Sequence, residues 1–438
     1  MSLYNELRGM HPLFVYHSFT LSEGALEFHF SIDEYHFYPR WEFDKALYTR
    51  DHSRAQAERA AFSLGMAELV SYWKCACCPR VEILCGGLTE KQKKWWKKLY
   101  FNGLGEFFYR NGIEADFEDF MTIDAPEPAP LPLRNAELNG ILVPIGGGKD
   151  SVVTVELLKK AGADIYPYII NPRGATLGCV AAAGIAPDKI TGVRRSIDKT
   201  LLELNSKGYL NGHTPFSAVV AFSAELFAIM SGRKYIALSN ESSANEVYVD
   251  GSEINHQYSK STEFERDFRE YCAESGEAPE YFSLLRPWSE WQIAREFVKY
   301  PQYFGVFQSC NLGSKTNVWC GGCAKCLYVY ILLSAFLEDK TLEEIFGCNM
   351  LDKAELSEIL EGLITDGRDK PFECVGTRDE VRLSLEMAAK LRGERLPALL
   401  RRYRELYPTF NPVDLSDFYD KDNFVPEEFQ WLLTAKHT

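Results

Sequence analysis

The side chains best suited to chemistry in this chain fall in four places. The first is Gly146-Gly147-Gly148-Lys149-Asp150-Ser151, three glycines that follow a short apolar run and lead into a helical pattern. Glycine carries no side chain to hold a ligand away, and the unpaired amides of a helix start attract anions, so a phosphate site is expected here. The run is neither a Walker loop, Gly-x-x-x-x-Gly-Lys-Ser/Thr, nor a dinucleotide loop, Gly-x-Gly-x-x-Gly. The second place is Cys310, Cys320, Cys323 and Cys326, separated by nine, two and two residues. Four thiolates in that register can close a tetrahedral shell around zinc, and a shell with no open position is structural. The third is Cys374, just ahead of Thr377-x-x-Glu380, which reads as a capping box. A helix N-terminus favours thiolate over thiol, so Cys374 is a candidate base or nucleophile. The fourth is a polar tract, Asn240-Glu241-Ser-Ser-Ala-Asn245-Glu246, continued by Gly251 to Ser261 with Asn255, His256, Tyr258 and Lys260. Carboxylates, amides, a histidine and a lysine on one long loop are the composition of a site, although a solvated surface loop would share it.

An α/β framework must carry these residues. Gly140 to Ile145 reads as a buried strand and Ser151 to Lys160 as an amphipathic helix. Asp164 to Ile170 is a second strand, and Gly178 to Gly184 leads into another helix, so Asn171, Arg173 and Cys179 follow a strand end where they would face a ligand. Thr214 is expected to cap a buried helix with Pro215 at its first position, running to about Met230, and His213 at its start serves either the cap or catalysis. Lys234 to Ser239 is a further strand ending at the polar tract. Strand, helix, strand repetition predicts a doubly wound parallel sheet with ligands at the carboxyl ends of its strands.

Upstream, Ala25 to Pro39 alternates apolar and polar residues, with Leu26, Phe28, Phe30 and Ile32 on one face, as in antiparallel β structure with one wet face. His29 and His36 within it read as surface or packed residues. Asp51 to Tyr72 is helical by period, and Lys91 to Tyr100 is a basic aromatic helix, a solvated face or an anion-binding one. Cys75, Cys77, Cys78 and Cys85 do not match the usual zinc pairs. Ala125 to Pro132 holds four prolines in eight residues and reads as an extended linker. The expected division is a mixed α+β N-terminal domain for substrate recognition, residues 1–138, then the sheet domain with the glycine loop and cysteine quartet, 139–345, then a helical region, 346–438. No chemistry is evident in the tail from Pro408.

A length of 438 residues leaves room for two or three domains. The net charge of −14 argues against a general nucleic-acid binder, because there is no cationic excess to neutralise phosphates. No apolar run reaches about 18 residues, so no membrane span is expected. Met1 to Arg8 lacks the apolar segment of a signal peptide, so the protein is expected to be cytoplasmic, with the cysteines outside the quartet as thiols.

The loop at 146–151 resembles the pyrophosphate loop, Ser-Gly-Gly-x-Asp-Ser, of the PP-loop ATP pyrophosphatases, which have an adenine nucleotide alpha hydrolase-like fold. These enzymes activate a carboxylate or carbonyl as its adenylate. Gly146 replaces the leading serine, and Lys149 would make up the lost donor by charge. Together with the cysteine quartet, the loop is similar to that of the 7-cyano-7-deazaguanine synthases. When Ser239 to Glu246, Glu253 to Lys260 and Glu373-Cys-Val-Gly376 are added, the whole pattern resembles the MurL-type epimerases over nearly the full length. That resemblance implies ATP and Mg²⁺ as cofactors, structural Zn²⁺ on the quartet, and a UDP-linked muramoyl dipeptide as substrate. The implied reaction converts the terminal L-glutamate of UDP-N-acetylmuramoyl-L-alanyl-L-glutamate to D-glutamate, for peptidoglycan synthesis. Gly146 to Ser151 would then hold ATP, and Arg173, Asn240, Glu241, Asn245, Glu246, Asn255 and Tyr258 the substrate.

Such a reaction explains the motifs. A Cα–H beside a free carboxylate is a poor acid, because its carbanion places two negative charges together, and adenylation removes one of them. A base takes the proton from one face, an acid returns one on the other, and hydrolysis releases AMP. Cys374 with a partner from Cys179, His213, His256 or Lys260 is the expected pair, since thiolates and imidazoles exchange protons near neutral pH. Two competing readings are an amide- or nitrile-forming synthase of the same fold and a nucleotide sensor that would release no AMP.

Overall fold

The computed structural model describes residues 2–48, 54–130, 138–249, 254–274, 279–409, 411 and 413–434. Among these, eleven strands form one mixed sheet: β1 (Leu13–Ser22), β2 (Ala25–Ile32), β3 (Tyr35–Phe37), β4 (Arg40–Glu42), β5 (Arg80–Ile83), β6 (Thr122–Asp124), β7 (Asn139–Pro144), β8 (Ile165–Ile170), β9 (Thr191–Ser196), β10 (Arg233–Leu238) and β11 (Glu280–Ser283). The sheet order is β11-β10-β7-β8-β9-β4-β2-β1-β5-β6, with β3 paired to β2.

The half from β11 to β9 is parallel throughout. Its side chains alternate between two cores. Leu142, Tyr168, Ile236 and Leu238 join one core with the helix Phe216–Ser231. Ile141, Val143, Ile165, Ile169, Tyr235 and Ala237 join the other, with the helices Lys149–Lys160, Glu290–Phe297 and Ala324–Ser334. Both faces are therefore buried, as a parallel sheet with helical crossovers requires. The chain runs outward from β7 through β8 to β9, then returns to the other side of β7 with β10. That reversal opens a crevice at the carboxyl ends of β7 and β10, the place where such sheets bind ligands.

The other half begins with the antiparallel pair β1–β2, and Leu26, Phe28, Phe30 and Ile32 are all fully buried, as their alternation predicts. Strand β4 pairs antiparallel with β9, placing Trp41 opposite Arg195, so the sheet continues unbroken between its halves. A buried carboxylate at this seam satisfies both partners: Glu68 accepts from Trp41 Nε1 at 2.9 Å and from Arg195 Nε at 2.5 Å. Burial without such partners would cost several kcal/mol.

Several boundaries differ from the sequence reading. The helix expected from residue 51 is Arg54–Trp73, and residues 51–53 lie outside the described residues. Thr214 is not an N-cap: Pro215 occupies that position with ψ of 71°, and the helix starts at Phe216. Pro215 packs closely on Gly103, where a Cβ would stand only 2.7 Å from the proline ring. In the proline-rich stretch, Pro126 accepts from the Leu88 amide at 2.9 Å, and residues 131–137 lie outside the described residues. Cys75, Cys77 and Cys78 are fully buried after the helix Arg54–Trp73, and burial pushes the Cys75 thiol up to about 12. Among the described residues, these sulfurs and that of Cys85 do not converge as ligands. Helices dominate from Ala324 onward, and no helix of the described residues is long and apolar enough to cross a membrane.

Candidate active site

A cleft of about 320 Å³ occupies the crevice. Its floor is the glycine loop, through Gly146, Gly148, Asp150 and Ser151, and its walls include Arg173, Ser239, Asn240, Glu241, Lys260, Lys325, Glu373 and Cys374. The loop's shape depends on Gly147, whose φ is +85° and whose Cβ would meet Ala175 at 3.0 Å. Its carbonyl is fixed by the Gln308 amide at 2.7 Å, and the Ser151 hydroxyl donates to the Gly148 carbonyl at 2.9 Å. Gly148 then stands at the N-cap of Lys149–Lys160 with no side-chain cap, so the helix start opens on the cleft. This is an anion cradle by construction.

Lys149 is turned away from the cleft surface. Its side chain is 2% exposed and its ammonium lies between the carboxylates of Asp150 and Glu290. Burial opposes the ammonium, but the two carboxylates hold its pKa well above the ordinary value. Burial raises the Glu290 carboxyl above the ordinary carboxylate range, and the Lys149 ammonium opposes that rise. The positive side chains lining the cleft are instead Arg173, Lys260 and Lys325.

Cys374 sits among converging donors. Lys260 Nζ lies 3.2 Å from its sulfur, and Lys325 Nζ donates to its carbonyl oxygen. Burial alone would raise the thiol. The Lys260 ammonium, a hydrogen bond from His256 and the charge of Lys325 overturn that and hold it at about 6. The side-chain charges thus add to the helix start expected from the sequence, whose Thr377–Glu380 capping box is present. Burial disfavours charge on His256, yet its bonds to Cys374 and Glu106 raise it to about 9. Its Nδ1 stands 2.6 Å from Glu106 Oε2. A chain Glu106–His256–Cys374 results, in which a carboxylate orients an imidazole and the imidazole supports a thiolate, the logic of activated nucleophiles and bases.

The remaining expected residues divide between the cleft and its supports. Asn240 lines the cleft and donates to Ser283 Oγ at 3.0 Å. Glu241 lines it too, and its carbonyl accepts from Arg286 Nη1 at 2.5 Å. The same guanidinium bonds the Lys260 carbonyl and Glu265, fixing both strand-end segments from beneath. Asn245 is spent on Thr262, Asn255 on Ala244 and Gln257, and Glu246 on Lys370, while Tyr258 is buried. These four shape the loop rather than line the cleft. Cys179 lies behind the glycine loop with its sulfur 3.6 Å from the Gly147 carbonyl, and burial pushes it up to about 12. His213 packs on His256 with ring centroids 4.5 Å apart, and burial together with His256 lowers it to about 4. Glu106, Glu290, Arg286 and Lys325 were not singled out by sequence. Glu106 and His256 are 150 residues apart, and no local pattern marks either as the other's partner.

The quartet closes as its spacing predicts. The four sulfurs of Cys310, Cys320, Cys323 and Cys326 lie within 4.8 Å of one another, with Cys310–Cys323 at 3.9 Å and Cys320–Cys326 at 3.5 Å. Tetrahedral zinc with bonds of about 2.3 Å separates its sulfurs by about 3.8 Å, so the residues fit the ion. The amides of Gly313 and Cys326 donate to Cys310 and Cys323 at 3.3 and 3.4 Å, a contact that suits thiolates.

Sheet, loop and cysteine together define an α/β protein with a glycine-loop cleft at its switch point and a cysteine of lowered pKa on the cleft wall. Comparison with known families narrows the class. Residues 8–284 match the MurL N-terminal domain and residues 306–416 the MurL C-terminal domain. A protein of Xanthomonas oryzae pv. oryzae named UDP-N-acetyl-alpha-D-muramoyl-L-alanyl-L-glutamate epimerase is 35% identical over 79% of this chain and 78% of its own length. Proteins of the same name from a Micromonospora species and Salinispora tropica are 36% and 34% identical, over 73% and 74% of this chain and 72% of each relative. The chain belongs to the MurL family. No solved structure matches it.

Proposed function

We propose that this protein is an ATP-dependent epimerase of the terminal glutamate of UDP-N-acetylmuramoyl-L-alanyl-L-glutamate, acting through a carboxyl adenylate in peptidoglycan precursor synthesis. The observation that carries the reading is one cleft holding both an anion cradle and a thiolate of lowered pKa. A PP-loop fold is consistent with the strand order β9-β8-β7-β10-β11, whose reversal lies beside the glycine loop.

ATP as co-substrate supplies the adenylyl group that replaces the carboxylate's charge. The open amides at Gly146 to Ser151 bind its phosphates, and Arg173 and Lys325 balance their charge. Asp150 and Glu241, two carboxylates lining the cleft, would hold Mg²⁺ with those phosphates. Cys374, as thiolate, takes the Cα proton, while Lys260 and His256 stabilise the thiolate and set its orientation. Lys260 and Cys374 are 3.2 Å apart, too close to flank a carbon from opposite sides, since a near-attack approach of about 3–3.5 Å is needed on each face. They therefore serve one face as a unit. The second face is left to Glu373, the lining carboxylate that does not serve the metal. The cysteine quartet would hold structural Zn²⁺ and anchor Lys325, which lies between two of its ligands in sequence.

Exchange of labelled pyrophosphate into ATP tests the adenylation step. Exchange that requires the UDP-muramoyl dipeptide supports the reading. No exchange with either glutamate epimer would remove it.

A further inference from the structure

The outer face of the N-terminal half-sheet carries a second cluster that the proposed reaction does not use. Pairing of β1 with β2 passes from Tyr16↔Phe30 to Ser18↔His29, so His17 is the extra residue of a β-bulge. Bulges re-aim side chains. Tyr16 stays buried while His17 turns to the outer face, where His29 of β2 and His36 of β3 also stand, opposite the buried Phe28, Phe30 and Phe37. One ligand nitrogen from each of the three rings falls within 4.8 Å of the other two. His17 and His29 stack with centroids 4.4 Å apart, and His29 Nε2 lies 2.8 Å from His36 Nδ1. Ser31 Oγ stands 2.8 Å from His17 Nε2, and Tyr38 stacks on His29 at 4.6 Å, contacts that hold the rings in place.

We infer that His17, His29 and His36 form a binding site for a divalent first-row transition-metal ion on the solvent face of the sheet. Imidazole is a ligand of choice for such ions. Two nitrogens on one tetrahedral ion at about 2.0–2.1 Å are about 3.3 Å apart, so the closest pair need open by only about half an ångström. Three rings leave a fourth position for water, unlike the closed cysteine quartet.

Co²⁺ separates the two sites, because a thiolate set gives an intense sulfur-to-cobalt charge-transfer band and an imidazole set does not. Titration of the full-length protein with Co²⁺ is expected to show a visible ligand-field spectrum without that band, from one ion per chain beyond the quartet. His29→Ala combined with His36→Ala is expected to weaken this uptake at least 100-fold while leaving the charge-transfer signal and epimerase activity intact. The single variant His36→Ala, at the most exposed of the three positions, is expected to weaken it at least 10-fold with an unchanged circular dichroism spectrum. Co²⁺ uptake by His36→Ala equal to that of the native chain would overturn the assignment and leave three hydrogen-bonded histidines.

Discussion

Replacing Lys260 by methionine keeps the volume of the side chain and removes the ammonium 3.2 Å from the Cys374 sulfur. A unit charge at that distance favours the thiolate by about 1.3 kcal/mol in bulk water and by about 5 kcal/mol at an effective dielectric constant of about 20. At about 1.36 kcal/mol per pKa unit, the loss corresponds to a rise of between about 1 and about 4. The native thiol is held at about 6, so in Lys260→Met it should titrate at about 7 or above. The assay is alkylation by iodoacetamide as a function of pH, followed on the peptide containing Cys374 so that the other cysteines do not contribute. Between about pH 6 and 7 the native thiol should react faster than the variant's, and the two should converge at high pH. An unchanged midpoint in Lys260→Met would refute the reasoning, because His256 and Lys325 would then suffice to ionise the thiol.

Deuterium exchange at the glutamate Cα should follow a bell-shaped pH profile, rising through about 6 as Cys374 loses its proton and falling through about 9 as His256 loses its own, measured by mass spectrometry of the product. Glu106→Gln removes the anchor that raises His256, so the falling limb should move toward ordinary histidine and exchange should slow by about 10²-fold, within the range of acid–base assistance; a limb that stays at about 9 would leave Glu106 a purely structural residue. Gly147→Ala forces a side chain into left-handed backbone at about 1–2 kcal/mol and against Ala175, so ATP affinity by calorimetry should fall at least 10-fold. Lys149→Met leaves Asp150 and Glu290 without the cation buried between them. Urea denaturation should show a loss of about 3–5 kcal/mol. Cys323→Ser should abolish bound zinc by elemental analysis and lower the thermal midpoint.

What the sequence revealed, and what it hid, follows from the range of the interactions. The glycine loop, the capping box at Thr377 and the alternation Leu26, Phe28, Phe30, Ile32 are local patterns, and each appears in the structure where its spacing placed it. The cysteine quartet closes because its turn and helix start are equally local. Glu106 escaped notice because its partner is reached only when the helix Gly105–Arg110 packs beside the loop carrying His256. Lys149 shows the same limit: its place in the loop is local, but its ion pair with the distant Glu290 is not. Asn245 and Asn255 likewise belonged to a tract of site-like composition, but their amides are consumed in shaping it. The pairing of β4 with β9 that unites the two half-sheets is a contact between three-residue and six-residue strands with no turn to announce it.

The central claim is that the cleft couples adenylation to inversion at Cα. The purified protein, incubated in D₂O with ATP, Mg²⁺ and UDP-N-acetylmuramoyl-L-alanyl-L-glutamate, is expected to release AMP and yield glutamate that is both D-configured and deuterated at Cα after acid hydrolysis. Glutamate that remains entirely L and undeuterated while AMP is released would contradict the account, leaving an adenylating enzyme of another outcome.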